Sequence, residues 1–318
     1  MPQKAARAAA FWKFLGLPPP TDSNGDLRQG VYSSVVWGEP PRQVKLILLD
    51  TRWHRENHCI PSIATKIPLG AGIACATRWL SAGLFPNLCK HDAAMLGEQQ
   101  WKWFEKQIYS SQAAVHIVVS SVQVLTTNPA MESWGHYPRE RDRLIRLLSI
   151  TRNVVLLSGD VHHGEILDPL AAVHARTISK DSDKERQRYG FLEVTSSGMT
   201  HDCSKHIYGK MCKPLLDIFH HHRFADVNNY FIGRNFGTMK IDWEAKTMEL
   251  SLRKETGESV LTTGIRELKS SPPDAWSDED YRSVIPCMDG HLQPLAWSTV
   301  ALLIGSSLLS RWLRKAQT

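Results

Sequence analysis

Several features are missing from this chain, and each absence removes a class of function. None of the six cysteines (Cys59, Cys75, Cys89, Cys203, Cys212 and Cys287) forms a CxxC pair. That argues against a zinc ribbon or a thioredoxin-type redox site. Their even number leaves disulfides and free thiols equally open, and Cys203 and Cys212 would close a short loop. There is no long Lys/Arg tract either. The net charge is +6, with small basic clusters only at 139–146 and 311–315. No nucleic-acid partner is expected on that basis. Residues 5–10 are short and broken by Arg7, so a secretory h-region is absent. Residues 60–85 are apolar but interrupted by Pro61, Lys66, Pro68 and Arg78, too broken for a membrane span. Charge is not scarce enough, nor apolar content low enough, for disorder: 22% of residues are charged, 42% are hydrophobic and eleven are Trp. A chain of this length and composition can bury a full core.

One long run does lack charge. Residues 295–309 (LAWSTVALLIGSSLL) carry none, and extension to 292–313 gives about 20 residues, the length of a span. Trp297 and Trp312 flank this stretch, and Arg311, Arg314 and Lys315 close it. The pattern fits a single-pass C-terminal anchor with its basic end cytoplasmic. The domain would then be lumenal or extracellular. A buried or interfacial helix is the alternative.

The most informative stretch is LLSGDVHHGE, residues 156–165. A short apolar run ending in Ser-Gly reads as a buried strand. Asp160, His162, His163 and Glu165 follow at once. Carboxylate oxygens and imidazole nitrogens suit a divalent metal, and ligands collect beyond the carboxyl ends of strands in open α/β sheets. On an extended backbone Asp160 and His162 would point one way and His163 the other. A solvated turn at a strand end is the plainer reading of the same ten residues.

Apolar and amphipathic segments alternate around it. Strands are expected at 30–38, 44–49, 115–119, 154–158 and 191–195, and helices at 95–110 and 139–149. A hairpin is expected at 230–242 and 248–253, turning at 244–246. Alternation of this kind argues α/β layering. Residues 270–280 read as a polar linker. Asp50 and Arg52 close the second strand, and a structural role near a site is expected for them. Trp101 and Trp103 lie on an amphipathic helix and are read as core.

Several blocks together resemble one family, the PhoD-like phosphatases of the calcineurin-like metallophosphoesterase superfamily. They are GVYSSVVWG with VKLILLDTRWHR, MLGEQQWKWFE, VHIVVSSVQVL, ESWGHYPRERDRLIRLL, VVLLSGDVHHGEI, VTSSGMTH and NFGTMKIDW. Each is weak alone, but the ordered set, from about Gly30 to Trp243, is specific. It is most similar to the eukaryotic, membrane-attached branch. The resemblance implies an α/β (α+β) fold, a metallophosphoesterase-like β-sandwich flanked by helices, followed by the C-terminal hydrophobic helix. Together with the residue pattern beyond it, the expected organisation is a family domain over 1–268, a linker over 269–291 and the anchor over 292–313. The resemblance further implies metal-dependent hydrolysis of phosphate mono- or diesters, with two divalent ions (iron, calcium, zinc or manganese) clamping the phosphoryl oxygens and supplying hydroxide. Asp160 and His162 match the superfamily's last metal-binding block. Gln123 stands where a His ligand is frequent. Trp134 and His136 are the candidates for pocket wall and phosphate contact.

The departures from the family pattern matter as much. The family's earlier Asp-containing metal blocks precede the region resembling Phe14-Leu15-Gly16, and nothing here supplies them. The expectation is therefore a fold incomplete at its N-terminus, active as a phosphoesterase only if those ligands are provided. The competing expectation is a catalytically inactive, membrane-attached remnant or binding module of the same fold.

Overall fold

The apolar runs become the middle of one sheet. The computed structural model describes residues 2–21, 25–58, 70–84, 93–171, 191–204 and 209–284. Within it, Val44–Leu48 (β2), Val115–Val119 (β3), Val154–Ser158 (β4) and Leu192–Ser196 (β6) pair in parallel. Ser33–Trp37 (β1) adds an antiparallel edge, and Gly164–Leu167 (β5) and Tyr230–Phe231 (β7) add two antiparallel strands on the other side. The order is β1-β2-β3-β4-β6-β5-β7. Central strands covered on both faces read as near-continuous Val, Ile and Leu, which is why β3 and β4 are conspicuous in the sequence. β5 is only four residues long, with Glu165 inside it, and it escapes such a reading.

A second, three-stranded sheet is formed by Asn235–Asp242 (β8), Thr247–Lys254 (β9) and Ser259–Glu267 (β10), ordered β10-β9-β8. The expected hairpin is β8–β9; β10 continues the meander and went unread. Side chains alternate along β9, so Met248, Leu250 and Leu252 are buried together. They share a cluster with Val115, Val155, Ile166, Leu192 and Val194 from the large sheet. The two sheets thus face each other across a common core. The opposite face of the large sheet, with Ile47, Val118 and Leu156, belongs to a second cluster. There Glu98–Tyr109 (α3) contributes Trp101, Phe104 and Ile108, and Pro138–Ser149 (α4) contributes Leu144, Ile145, Leu147 and Leu148. This is a sandwich with a helical layer outside it.

Pro2–Phe14 (α1), Gly70–Leu84 (α2), Gly209–Ile218 (α5) and Asp278–Ser283 (α6) complete the described helices. α1 stops at Gly16, whose φ is 67°. That left-handed backbone favours glycine just past a helix end. The chain beyond 268 was expected to leave the domain as a linker. Instead Trp276 and Val284 are buried in the helical core cluster. Trp276 stacks on Phe191 with centroids 6.2 Å apart, and Arg141 donates to the Val284 carbonyl at 3.2 Å. A polar, Pro-containing composition concealed these two anchors. Residues 292–313 lie outside the described residues. Among the described residues no helix is long and apolar enough to cross a membrane.

Candidate functional site

Register brings the parallel strands to an end at one level: Leu48 lies opposite Val119, Val119 opposite Leu157, and Ser158 opposite Thr195. The ladder then runs one step further, with Leu49 N donating to Val119 O at 3.0 Å and Ser120 N to Leu157 O at 2.9 Å. Thr51 and Arg52 from β2, Ser121 from β3, Asp160 from β4 and Ser197 from β6 therefore arrive at one edge. Thr51 and Ser121 share a hydroxyl–hydroxyl hydrogen bond. A Cβ on Gly159 would stand 3.8 Å from Ser197 Oγ and 4.0 Å from Ser121 O.

Asp50 shapes the loop after β2. Its Oδ1 accepts from Arg52 N at 2.8 Å and Trp53 N at 2.9 Å, and its Oδ2 accepts from Val31 N at 2.8 Å. The buried Gln100 of α3 holds the Asp50 backbone from both sides, accepting from its N at 2.8 Å and donating to its O at 2.9 Å. A carboxylate satisfied by three backbone donors is structural, as expected for this position. Arg52 is thereby aimed across the edge. It donates to Glu132 Oε1 at 2.8 Å and lies 3.8 Å from Asp160 Oδ1. Arg55 pairs with Glu132 as well.

Beyond β4 the chain is not extended. Asp160 and His162 have φ of 77° and 61°, a backbone conformation uncommon outside glycine and concentrated at functional sites. Exposure nevertheless alternates: Asp160 and His162 are exposed, whereas Val161 and His163 are buried. The His162 ring stacks on His201 with centroids 6.0 Å apart. Its carbonyl accepts from Cys203 N at 2.8 Å, and Cys203 is disulfide-bonded to Cys212 in α5.

Beneath the edge lies a buried polar network. Glu165 Oε1 accepts from Gln123 Nε2 at 2.7 Å and contacts His163 Nε2 at 3.2 Å. Arg223 reaches Glu165 Oε2 through Nε at 3.2 Å and Nη2 at 3.0 Å. Burial alone would push the Glu165 carboxyl up, but His163, Arg223 and Gln123 outweigh it and hold the pKa at about 2. Glu193 has the opposite fate. Burial pushes it up to about 7, against hydrogen bonds from Ser158 and from the amides of Val124 and Leu125. Glu193 and Arg223 were not singled out from the sequence. A charged residue inside the apolar strand FLEVT was the available signal for Glu193; Arg223 comes from a loop and had none.

Gln123 lies within this network, its amide donating also to Thr195 Oγ1 at 3.0 Å. Trp134 sits in the core rather than on a pocket wall. It is wholly buried, and its Nε1–H donates to Ser120 Oγ at 2.9 Å. A side chain with no exposed surface cannot touch a phosphate. His136 is buried beside it, with Nε2 3.0 Å from Met131 O and its ring 4.9 Å from that of His58. Burial lowers its pKa to about 4 despite that hydrogen bond, so it is neutral at pH 7.

A divalent ion needs at least four donors, and a pair of ions needs more. Among the described residues no three His, Cys, Asp or Glu side chains converge on such a point. The Asp160 carboxylate faces the Arg52 guanidinium, and Gln123 is engaged below. The described donor set does not fit a two-metal centre.

The PhoD-like phosphatase family matches residues 2–252. No curated protein sequence matches the chain. Among solved structures, that of PhoD is similar over 93% of this chain and 55% of that one, at 16% identity and a TM-score of 0.42. That of GAP50, the anchor in the inner membrane complex of Plasmodium, is similar over 83% of this chain and 63% of that one, at 11% identity and a TM-score of 0.36. The chain thus spans less than two thirds of either structure. The family match runs from α1 through the whole large sheet into β9, and the chain belongs to the PhoD-like phosphatases.

Proposed function

We propose that the strand-end edge recognises phosphate esters and forms part of a phosphoric ester hydrolase site. Family membership carries this reading, and the convergence of Arg52, Ser121, Asp160 and Ser197 beyond the parallel strands supports it. Arg52, about half exposed at 52%, offers a charge suited to phosphoryl oxygens. Among the described residues, Asp160 and His162 are the donors this edge offers to a divalent ion. Two donors are too few for the family's metal pair, so turnover requires carboxylates from outside the described residues. The Arg52–Asp160 contact favours the second reading, a phosphate-binding member without turnover of its own.

Two measurements on the purified chain decide between them. Metal per chain is read by mass spectrometry after incubation with manganese, zinc, iron or calcium. Hydrolysis of p-nitrophenyl phosphate and bis-p-nitrophenyl phosphate is then followed. Near two metals per chain, with turnover lost in Asp160→Asn and His162→Ala, supports the hydrolase. Near zero metal with no turnover, but phosphate-ester binding weakened in Arg52→Met, supports the binding module. Neither binding nor turnover sinks both. Attachment of residues 292–313 to a membrane, with the domain lumenal or extracellular, is part of the same proposal. Carbonate extraction tests the first, and digestion of the domain by protease added outside intact vesicles would overturn the second.

A further inference from the structure

At the opposite end of the large sheet from Asp160, the amino ends of β4 and β6 meet the second sheet around a cavity of about 240 Å3. Val154, Val155, Leu192, Met248 and Leu250 form apolar walls. Arg266 of β10 also lines it, and register explains how. Arg266 lies directly opposite Met248 on β9, and opposed residues of an antiparallel pair share a face. Arg266 therefore stands on the core-facing side, among side chains chosen for burial.

Among the described residues no hydrogen bond or ion pair reaches the half-buried Arg266 guanidinium. Burial pulls it below the ordinary arginine range, and Asp168 acts on it electrostatically without restoring that range. The other cations of the rim are already engaged. Arg152 donates to the carbonyls of Gln112, Ala113 and Ser270, and Lys269 pairs with Glu267 at 3.1 Å. The opening is also held in shape. Asn153, with φ of 46°, donates to Ala114 O and Lys269 O at 2.8 Å each and accepts from Lys269 N at 2.8 Å. An apolar cavity of about 150 Å3 holds a benzene-sized molecule. This one is half open and mixed in lining, with Glu267 and Asp274 at its rim beside Arg152 and Lys269, and its volume has room for such a body and a charged group. A guanidinium is a five-donor fork matched to carboxylate and phosphate oxygens.

We propose that this cavity is a binding site for a compact amphiphilic anion, a carboxylate or phosphate on an aromatic or short aliphatic body, with Arg266 as the anion-binding group. The proposal is independent of the strand-end reading. Its rival is that an inward-pointing charge on the edge strand β10 only guards against edge-to-edge pairing, which requires no ligand.

Calorimetric titration of the full chain with benzoate, phenyl phosphate, inorganic phosphate and benzyl alcohol tests it. Benzoate and phenyl phosphate are expected to bind, with benzyl alcohol and inorganic phosphate weaker by about tenfold or more, the loss of one charge-assisted or one apolar component. Arg266→Met is expected to weaken benzoate by a similar factor, Arg266→Lys to weaken it less, and Arg52→Met to leave it unchanged. No binding by the native chain overturns the proposal, as does equal binding by Arg266→Met or loss in Arg52→Met instead. In Arg52→Met, where the strand-end edge is disabled, inorganic phosphate binding as tightly as phenyl phosphate overturns the amphiphile. Should Arg266→Met fail to fold by circular dichroism, Arg266→Lys and the benzoate–benzyl alcohol difference still decide.

Discussion

Glu193 is a carboxylate in the middle of a buried strand, and its two oxygens take the amides of Val124 at 2.9 Å and Leu125 at 2.6 Å. Those donors tie β6 to the segment following β3. The carboxyl is nevertheless raised from 4.5 to about 7 by burial. The folded state then holds a proton that the unfolded state has released between those two values. This contribution to stability is present below pH 4.5 and is lost as pH rises through about 7. His136, lowered from 6.5 to about 4, works in the other direction, since its contribution is lost as pH falls. The informative quantity is therefore a difference. Urea denaturation between pH 5 and 8 is expected to show native stability falling relative to Glu193→Gln, even though the variant is less stable throughout because one of its donors meets an N–H. Parallel pH profiles would remove the raised carboxyl. Residue chemistry of this kind was half legible: a charge inside an apolar run announces a buried polar group, but not the partners that tune it. The Trp134 indole shows the reverse, since its position in a motif resembled a site while packing made it core.

At the scale of elements, α3 and α4 are joined by two side chains of α4, Arg143, which pairs with Glu98 and Glu105, and Glu140. α3 begins at Gly97 without a side-chain cap. Glu140, in the first turn of α4, instead accepts from the amides of Met95 and Leu96 at 3.2 and 3.1 Å and from Trp101 Nε1 at 2.7 Å. Hydrogen bonds to a charged acceptor contribute roughly 1.5–3 kcal/mol net. Glu140→Ala is expected to lower unfolding free energy by about that much, with Glu140→Gln losing less; a change within error in urea melts would show the stitch to be ornamental. The Cys203–Cys212 bridge ties the segment contacting His162 to α5. Closing so short a loop contributes about 2–3 kcal/mol in the chain-entropy picture. The double Ser variant is expected to lose that stability and to broaden the NMR signals of His162 and His201, whereas an unchanged melting curve would count against the bridge. Periodicity found both helices but not the Glu140 stitch, which joins residues 39 to 45 apart in sequence; the Cys203–Cys212 pair, nine residues apart, was visible as a short loop whose disulfide the sequence left open.

Over the whole molecule, stability rests on two cores sharing one sheet. Leu252 is fully buried where the sheets face each other. Leu252→Ala is expected to cost about 2–5 kcal/mol, the lost transfer energy plus the cavity left behind. A smaller cost would mean that the second sheet is loosely docked. Trp276 closes the other core from beyond the expected domain boundary, so truncation at 268 should expose Phe191 and destabilise the chain, readable as increased binding of a hydrophobic dye.

The amino-acid order by itself determined the central strands, the two amphipathic helices beside them and the family, because apolar periodicity and contiguous motifs are local properties. Only the folded chain decided which polar groups are sealed, which cation stands against Asp160 and which charge faces inward with no hydrogen bond among the described residues. Those outcomes depend on strand register and on the meeting of two sheets, and contacts across such distances leave no local pattern to read.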